Sequence, residues 1–150
     1  MDHIVCLDAG ALELENLVSG HKSMILRGED IIQLPYGSVK DGDILYFVNN
    51  LFESEVLAKG KVTSVFNSGR LSVEESFETI IRNQDKLQLP DRQFERMAGK
   101  RYLVLIGVSM IEKIEPFRVD KAIFLISDDW ASVADINAVV VNSEDFKYFK

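Results

Sequence analysis

Residues 19–27, SGHKSMILR, place Gly20, Lys22, Ser23 and Arg27 close together along the chain. A lysine ammonium is a point charge suited to phosphate, or a base when burial lowers its pKa. An arginine fork suits a phosphate or the acceptor edge of a nucleobase. The glycine, lysine and serine first suggest a phosphate loop, which needs a strand, then the loop, then a helix whose N-terminus faces the anion. Here the order is reversed. The preceding DAGALELENLV sets Leu14, Leu17 and Val18 at i, i+3 and i+4, with Asp8 in the N-cap position, and so predicts an amphipathic helix. Gly20 then stands where helices end in a left-handed residue, and the following SMIL has the composition of a strand. A helix C-terminus presents carbonyls and repels phosphate, which excludes the phosphate-loop reading. One reading of these residues is a polar pocket for one nucleotide, with Lys22 at the lip of a cleft, Arg27 beside it and Ser23 offering one hydrogen bond. Tyr36, Tyr46 and Tyr102 are available to stack. The plainer alternative makes Lys22 and Arg27 solvated cations bridged to Glu29 or Asp30, and Ser23 a backbone-bonding residue at the strand entry.

The other reactive residue types point to structure. His3 and His21 lack any C-x-x-C or H-E-x-x-H context, so no metal site is expected, with His3 in a strand and His21 in an exposed loop. Cys6, the sole cysteine, lies in the apolar run HIVCL and reads as a buried thiol with no disulfide partner. Glu74 and Glu75 belong to a helix start, and Asp91 suits the first turn of a helix after Pro90. Trp130 reads as a half-buried anchor. A net charge of −7 is the wrong sign for general nucleic-acid affinity, so an RNA ligand demands a basic pocket made by folding. Between Gly20 and Lys61 the cations Lys22, Arg27, Lys40, Lys59 and Lys61 are interleaved with acids and form no stripe. No apolar run approaches the ~20 residues of a membrane span, and the N-terminal residues lack the basic-then-apolar pattern of a signal peptide, which leads us to expect a cytoplasmic protein.

These residues need elements to hold them. Length argues for one domain. KDGD marks a turn into the strand ILYFV, and residues 56–66 predict a strand with Gly60 at a bulge or close approach. Ser72 with Glu75 is a capping box opening a helix whose apolar face is Val73, Phe77, Ile80 and Ile81. A short helix after Pro90 runs through Phe94 and Met97 and stops near Gly99. RYLVLIGVSMIEKIEPF predicts a long strand covered on both faces or lining a small barrel, and KAIFLIS and INAVVVN predict further strands, with DDWASVADI between them as a helical turn. Strands without regular βαβ alternation define an α+β chain with a barrel-like sheet.

The order helix, Gly20, Lys22, Ser23, Arg27, then Gly42 and Asp43 resembles the ASCH family of PUA-like proteins, which shows G-x-K-[ST], a short strand ending in arginine and a later glycine-aspartate pair. AKGKVTSV with Gly60 resembles the family's next strand, and IEKIEP its usual ending. The likeness covers about residues 12–118, leaving 119–150 as a C-terminal extension of a single domain spanning 1–150. The resemblance implies a small β pseudo-barrel with flanking helices and a helical insertion. It also implies a cleft that binds RNA or a nucleotide through Gly20, Lys22, Ser23 and Arg27, without cofactor or metal. One branch of the family hydrolyses the amide of acetylated cytidine with a lysine, a threonine three positions later and a glutamate from the insertion. Lys22 matches the lysine, Ile25 stands at the threonine position without a hydroxyl, and Asp91 is the nearest counterpart of the glutamate. The hydrolase alternative therefore assigns catalysis to Lys22, Ser23 and Asp91. A further alternative is a protein-interaction module using the acidic surface and the FKYFK terminus.

Overall fold

The computed structural model describes residues 1–49, 54–124 and 129–141. The longest apolar run becomes the organising element, the 18-residue strand β5 (Tyr102–Val119). Its first half is fully covered because it carries β2 (Met24–Glu29) on one side and β4 (Glu55–Asn67) on the other. From β4 the sheet continues through β3 (Ile44–Val48) and β1 (Asp2–Cys6) to β6 (Trp130–Val133), in the order β2-β5-β4-β3-β1-β6. The short β7 (Val140–Val141) pairs with the end of β5, and β1 with β3 is the parallel pair in an otherwise antiparallel ladder. The sheet curls into a half-barrel, giving the expected α+β architecture with a barrel-like sheet.

Curling has a local cause. The β4–β5 ladder changes register three times, and each bulge sharpens the twist. Gly60 and Gly107 sit where these strands press together: a Cβ on Gly60 meets Ile111 and Phe47, and one on Gly107 meets Ser64. The expected close approach at Gly60 is therefore present.

Two apolar layers flank β2 and β5, and alternation along β2 serves both. Ile25 faces the concave core with Leu14, Leu17, Leu45, Phe47, Ile106 and Trp130, beneath α1 (Glu13–Val18). Met24 and Leu26 face the opposite layer with Leu103 and Leu105, where α2 (Val73–Arg82), α3 (Gln84–Leu87) and α4 (Asp91–Met97) contribute Ile80, Leu87 and Phe94. The capping box forms as expected, with the Glu75 N–H donating to Ser72 Oγ at 3.1 Å and the Ser72 N–H to Glu75 Oε1 at 2.9 Å. Gly99, with φ 95°, ends the run after α4.

Several expectations are corrected. Asp8 does not cap α1 directly: a turn intervenes, Leu12 adopts φ 55°, and the helix starts at Glu13. On α2 the expected apolar face is met in part: Ile80 is buried as expected beside Ser76, whose Oγ accepts the Gly99 N–H at 3.1 Å, while Val73, Phe77 and Ile81 stay exposed. In KAIFLIS, residues Lys121–Phe124 form a 3₁₀ turn, since Asp120 Oδ1 accepts from the Ala122 N–H and fixes a turn where apolar content alone favours a strand. Residues 125–128 lie outside the described residues. INAVVVN begins as a 3₁₀ turn capped by Asp135 and pairs as β7 only at Val140–Val141. The expected helical turn in DDWASVADI is strand β6, paired with β1, and Trp130 is wholly buried. The FKYFK terminus lies outside the described residues. Among the described residues no helix is long and apolar enough to cross a membrane.

Candidate functional site

A cleft of ≈ 920 Å³ opens between the Asp8–Glu13 turn, β2 and α4. Its floor carries Arg27 and Glu13, and its rim carries Arg92, Arg96 and Lys100.

Lys22 sits behind this cleft, not at its lip. It is 2% exposed, its Nζ donates to the Leu87 carbonyl and it lies 3.6 Å from Oε2 of Glu13, itself 3% exposed. Burial lowers the Lys22 pKa; the Glu13 charge opposes the shift, and the Arg27 charge adds to it. The other Glu13 oxygen accepts the Asp8 N–H at 3.1 Å. Lys22 and Glu13 thus tie the entry of β2 to α3 and to the turn that forms the cleft wall. Glu13 had no assigned role in the sequence, where it reads as a first-turn acid of α1.

Arg27 reaches the cleft from within the barrel. One Nη donates to the carbonyl of Leu26 at 2.9 Å and the other to that of Cys6 at 3.1 Å, while Nε lies 3.1 Å from Asp129. The guanidinium carbon stands 5.9 Å from the Trp130 ring centroid. β2 and β6 are the two ends of the sheet path, so Arg27 bridges the open seam of the half-barrel with side-chain bonds. A guanidinium has five N–H donors, so this bridging leaves some for a ligand.

The other expected site residues are not drawn together. Gly20 has φ 82° and turns the chain after α1. Ser23 is exposed, its backbone clamped between the Lys86 carbonyl and the Val108 N–H. Asp91 is exposed at the start of α4 and absent from the cleft wall, and Ile25 is completely buried in the core. Tyr36 donates to the Ser68 carbonyl and meets Tyr102 edge-on at 5.9 Å, both lining a separate recess of ≈ 10 Å³. Tyr46 packs on Phe117. None of the three lines the cleft.

Residues not anticipated supply most of the cleft's cations, which face the carboxylates of Asp8, Glu13, Glu29 and Asp129 in the same lining. Arg92 and Arg96, at i and i+4, share one side of α4, and Lys100 follows just beyond the turn at Gly99. Arg92 and Arg96 converge on Asp8, at 3.6 and 3.7 Å. Asn49 also lines the cleft, and its buried Oδ1 has no hydrogen-bond partner among the described residues.

Elsewhere, His3 is buried with Nε2 2.8 Å from Asp43 Oδ2, and its Nδ1 accepts from the donor-only Trp130 indole at 3.2 Å. That assigns the ring proton to Nε2. Burial acts to raise the Asp43 pKa, but the hydrogen bonds from His3 and the Lys40 N–H, with the nearby N-terminal charge, outweigh it and hold the carboxyl below its ordinary value. Among the described residues no three His, Cys, Asp or Glu side chains cluster as metal ligands.

No family model and no curated protein sequence matches the chain. Its fold does have counterparts. The crystal structure of ASCH from Zymomonas mobilis superimposes with a TM-score of 0.60 at 14% identity, covering 99% of this chain and 92% of the other. A single-substitution variant of that protein gives 0.62 over 99% and 93%. A DUF984 protein from Enterococcus faecalis V583 gives 0.51 at 15% identity over 77% and 82%. The chain has an ASCH-like fold.

Proposed function

We propose that this ASCH-like domain binds a nucleotide or a short single-stranded RNA segment in the cleft between the Asp8–Glu13 turn, β2 and α4. The supporting observation is the gathering of Arg27, Arg92, Arg96 and Lys100 around one ≈ 920 Å³ cleft in a chain of net charge −7. The lining also carries Asp8, Glu13, Glu29 and Asp129, so the cleft is charge-balanced as a whole, and its exposed cations are gathered on the α4 side, where they can meet phosphates. Arg27 and Asn49 offer donors and an unfilled acceptor to a base edge, and the α4 cations face the backbone. Lys22 serves this site indirectly by fixing Glu13, and Ser23 and Gly20 shape the approach of β2.

Fluorescence anisotropy with a short labelled single-stranded RNA tests the reading. Binding at low ionic strength should weaken with salt, and R92A/R96A should flatten the log–log salt slope by about 0.7 for each phosphate that is no longer neutralised. Lys59→Ala, outside the cleft, should leave it unchanged. No binding of RNA or of mononucleotides at low salt rejects the proposal.

A second reading, amide hydrolysis of an acetylated cytidine, draws on one observation: a buried lysine of lowered pKa lies beside a buried carboxylate, Lys22 and Glu13. Here Glu13 takes the place expected of Asp91. Acetate release lost in Glu13→Gln and kept in Asp91→Asn supports this reading; intact substrate after prolonged incubation removes it.

A further inference from the structure

Asp8 stands where an anion belongs. Its Oδ1 accepts the Ala11 N–H at 3.1 Å and its Oδ2 lies 3.4 Å from Gln93 Nε2, so the turn and α4 fix the carboxylate in place. Arg92 approaches Oδ1 at 3.6 Å and Arg96 approaches Oδ2 at 3.7 Å, one guanidinium to each oxygen. Charge-assisted N–H···O bonds run about 2.7–2.9 Å, so both interactions are Coulombic and leave the arginine donors unsaturated. The arginine side chains are 74% and 54% exposed, free to take up another partner. Gly10 completes the pocket: a Cβ there would lie 2.9 Å from Arg92 Nη2 and 3.3 Å from Asp8 Oδ1, so its bare backbone lets the guanidinium lie against the turn. Lys100 borders the same cleft, 3.8 Å from Asp30.

We propose that Arg92, Arg96 and Lys100 form a subsite for a terminal phosphomonoester, and that the Asp8 carboxylate holds the phosphate's place in the free protein. The inference rests on the nucleotide reading of the cleft and adds to it a selectivity for chain ends. A phosphodiester carries one negative charge, as Asp8 does, and gains little by displacing a tethered carboxylate. A phosphomonoester carries about −1.5 to −2 at pH 7 and three terminal oxygens, enough to bridge both guanidiniums and the ammonium. Glu13 and Asp129 leave this balance unchanged, because Glu13 is paired with Lys22, and Asp129 with Arg27. Glu29, exposed on the rim, repels a dianion more than a monoanion and offsets part of this gain.

Calorimetric titration of wild type, Asp8→Asn and R92A/R96A with adenosine 5′-monophosphate, adenosine, the diester ApA and inorganic phosphate tests it. In the wild type the monophosphate should bind about tenfold tighter than adenosine or ApA, a preference that falls below about twofold in R92A/R96A. Asp8→Asn keeps the Ala11 cap through its amide oxygen and removes the competing charge, so it should tighten ApA and inorganic phosphate and narrow the preference. Equal affinity for monophosphate and nucleoside in the wild type, or weaker phosphate binding in Asp8→Asn, overturns the subsite and leaves the nucleotide reading standing. Inorganic phosphate that binds in an arginine-dependent way with no binding of the nucleosides or ApA keeps the subsite and removes the nucleotide reading. Absence of any phosphate or nucleotide binding ends both.

Discussion

Lys22 shows how far one residue's surroundings can redirect its chemistry. As a letter in G-x-K-S it belongs to a ligand pocket; in the folded chain it is a buried partner of Glu13 and of the Leu87 carbonyl. Lys22→Met leaves Glu13 buried without its counter-charge, an arrangement that costs about 3–5 kcal/mol, and pairing it with Glu13→Gln should recover much of that loss in denaturant unfolding. A single-mutant loss below about 1 kcal/mol, the range of an exposed pair, would show that the pair is solvated. Asp43 carries a pH dependence of defined sign. Its folded pKa lies below the ordinary value of 3.8, so its contribution is present above that value and lost as pH falls through the folded pKa. Asp43→Asn should therefore lower stability at neutral pH and flatten the acid limb below pH 3.8, read by thermal melts across pH; an unchanged acid limb would contradict this. The sequence placed His3 in a strand correctly but offered no hint of Asp43 or Trp130 as its partners, since those bonds join residues 40 and 127 positions apart.

At the scale of elements, legibility tracked the range of the forces. The Ser72–Glu75 box, the stop at Gly99, the tight approach at Gly60 and the doubly covered start of β5 are set by local geometry or by continuous apolar patterning, and each was readable. β6 was not, because WASV becomes a strand only by pairing with β1 at the other end of the chain. The inward face of α2 was legible only in part: Ile80 is buried as expected, but Ser76, bonded to Gly99, is buried where Val73, Phe77 and Ile81 are not. The packing of β2 against the insertion gives a direct test. Leu26→Ala, buried between β2 and α2–α4, should cost about 2–5 kcal/mol, whereas Ile81→Ala on the exposed side of α2 should stay within about 0.5 kcal/mol. Comparable losses at both positions in urea melts would mean that α2 packs through its apolar stripe after all.

For the whole molecule, the half-barrel and its insertion matter because they bring together groups that the sequence scatters. Asp8 comes from the turn before α1, Glu13 from the start of α1, Arg27 from β2 and Arg92, Arg96 and Lys100 from the insertion, and only the curl of the sheet makes them neighbours. The fold was foreshadowed by the Gly20–Arg27 and Gly42–Asp43 spacing. The cationic rim was present in the sequence as an i, i+4, i+8 series, yet its significance depends on which way α4 faces. The most direct test of a nucleotide-binding cleft is an NMR titration of the backbone amides with a short single-stranded RNA at low salt. Shifts concentrated at Asp8, Gly10, Gly28 and the α4 residues Arg92 to Met97 are the result this structure predicts. An unperturbed spectrum, or shifts confined to the groove by Gly60 and Ile111 on another part of the surface, would contradict it.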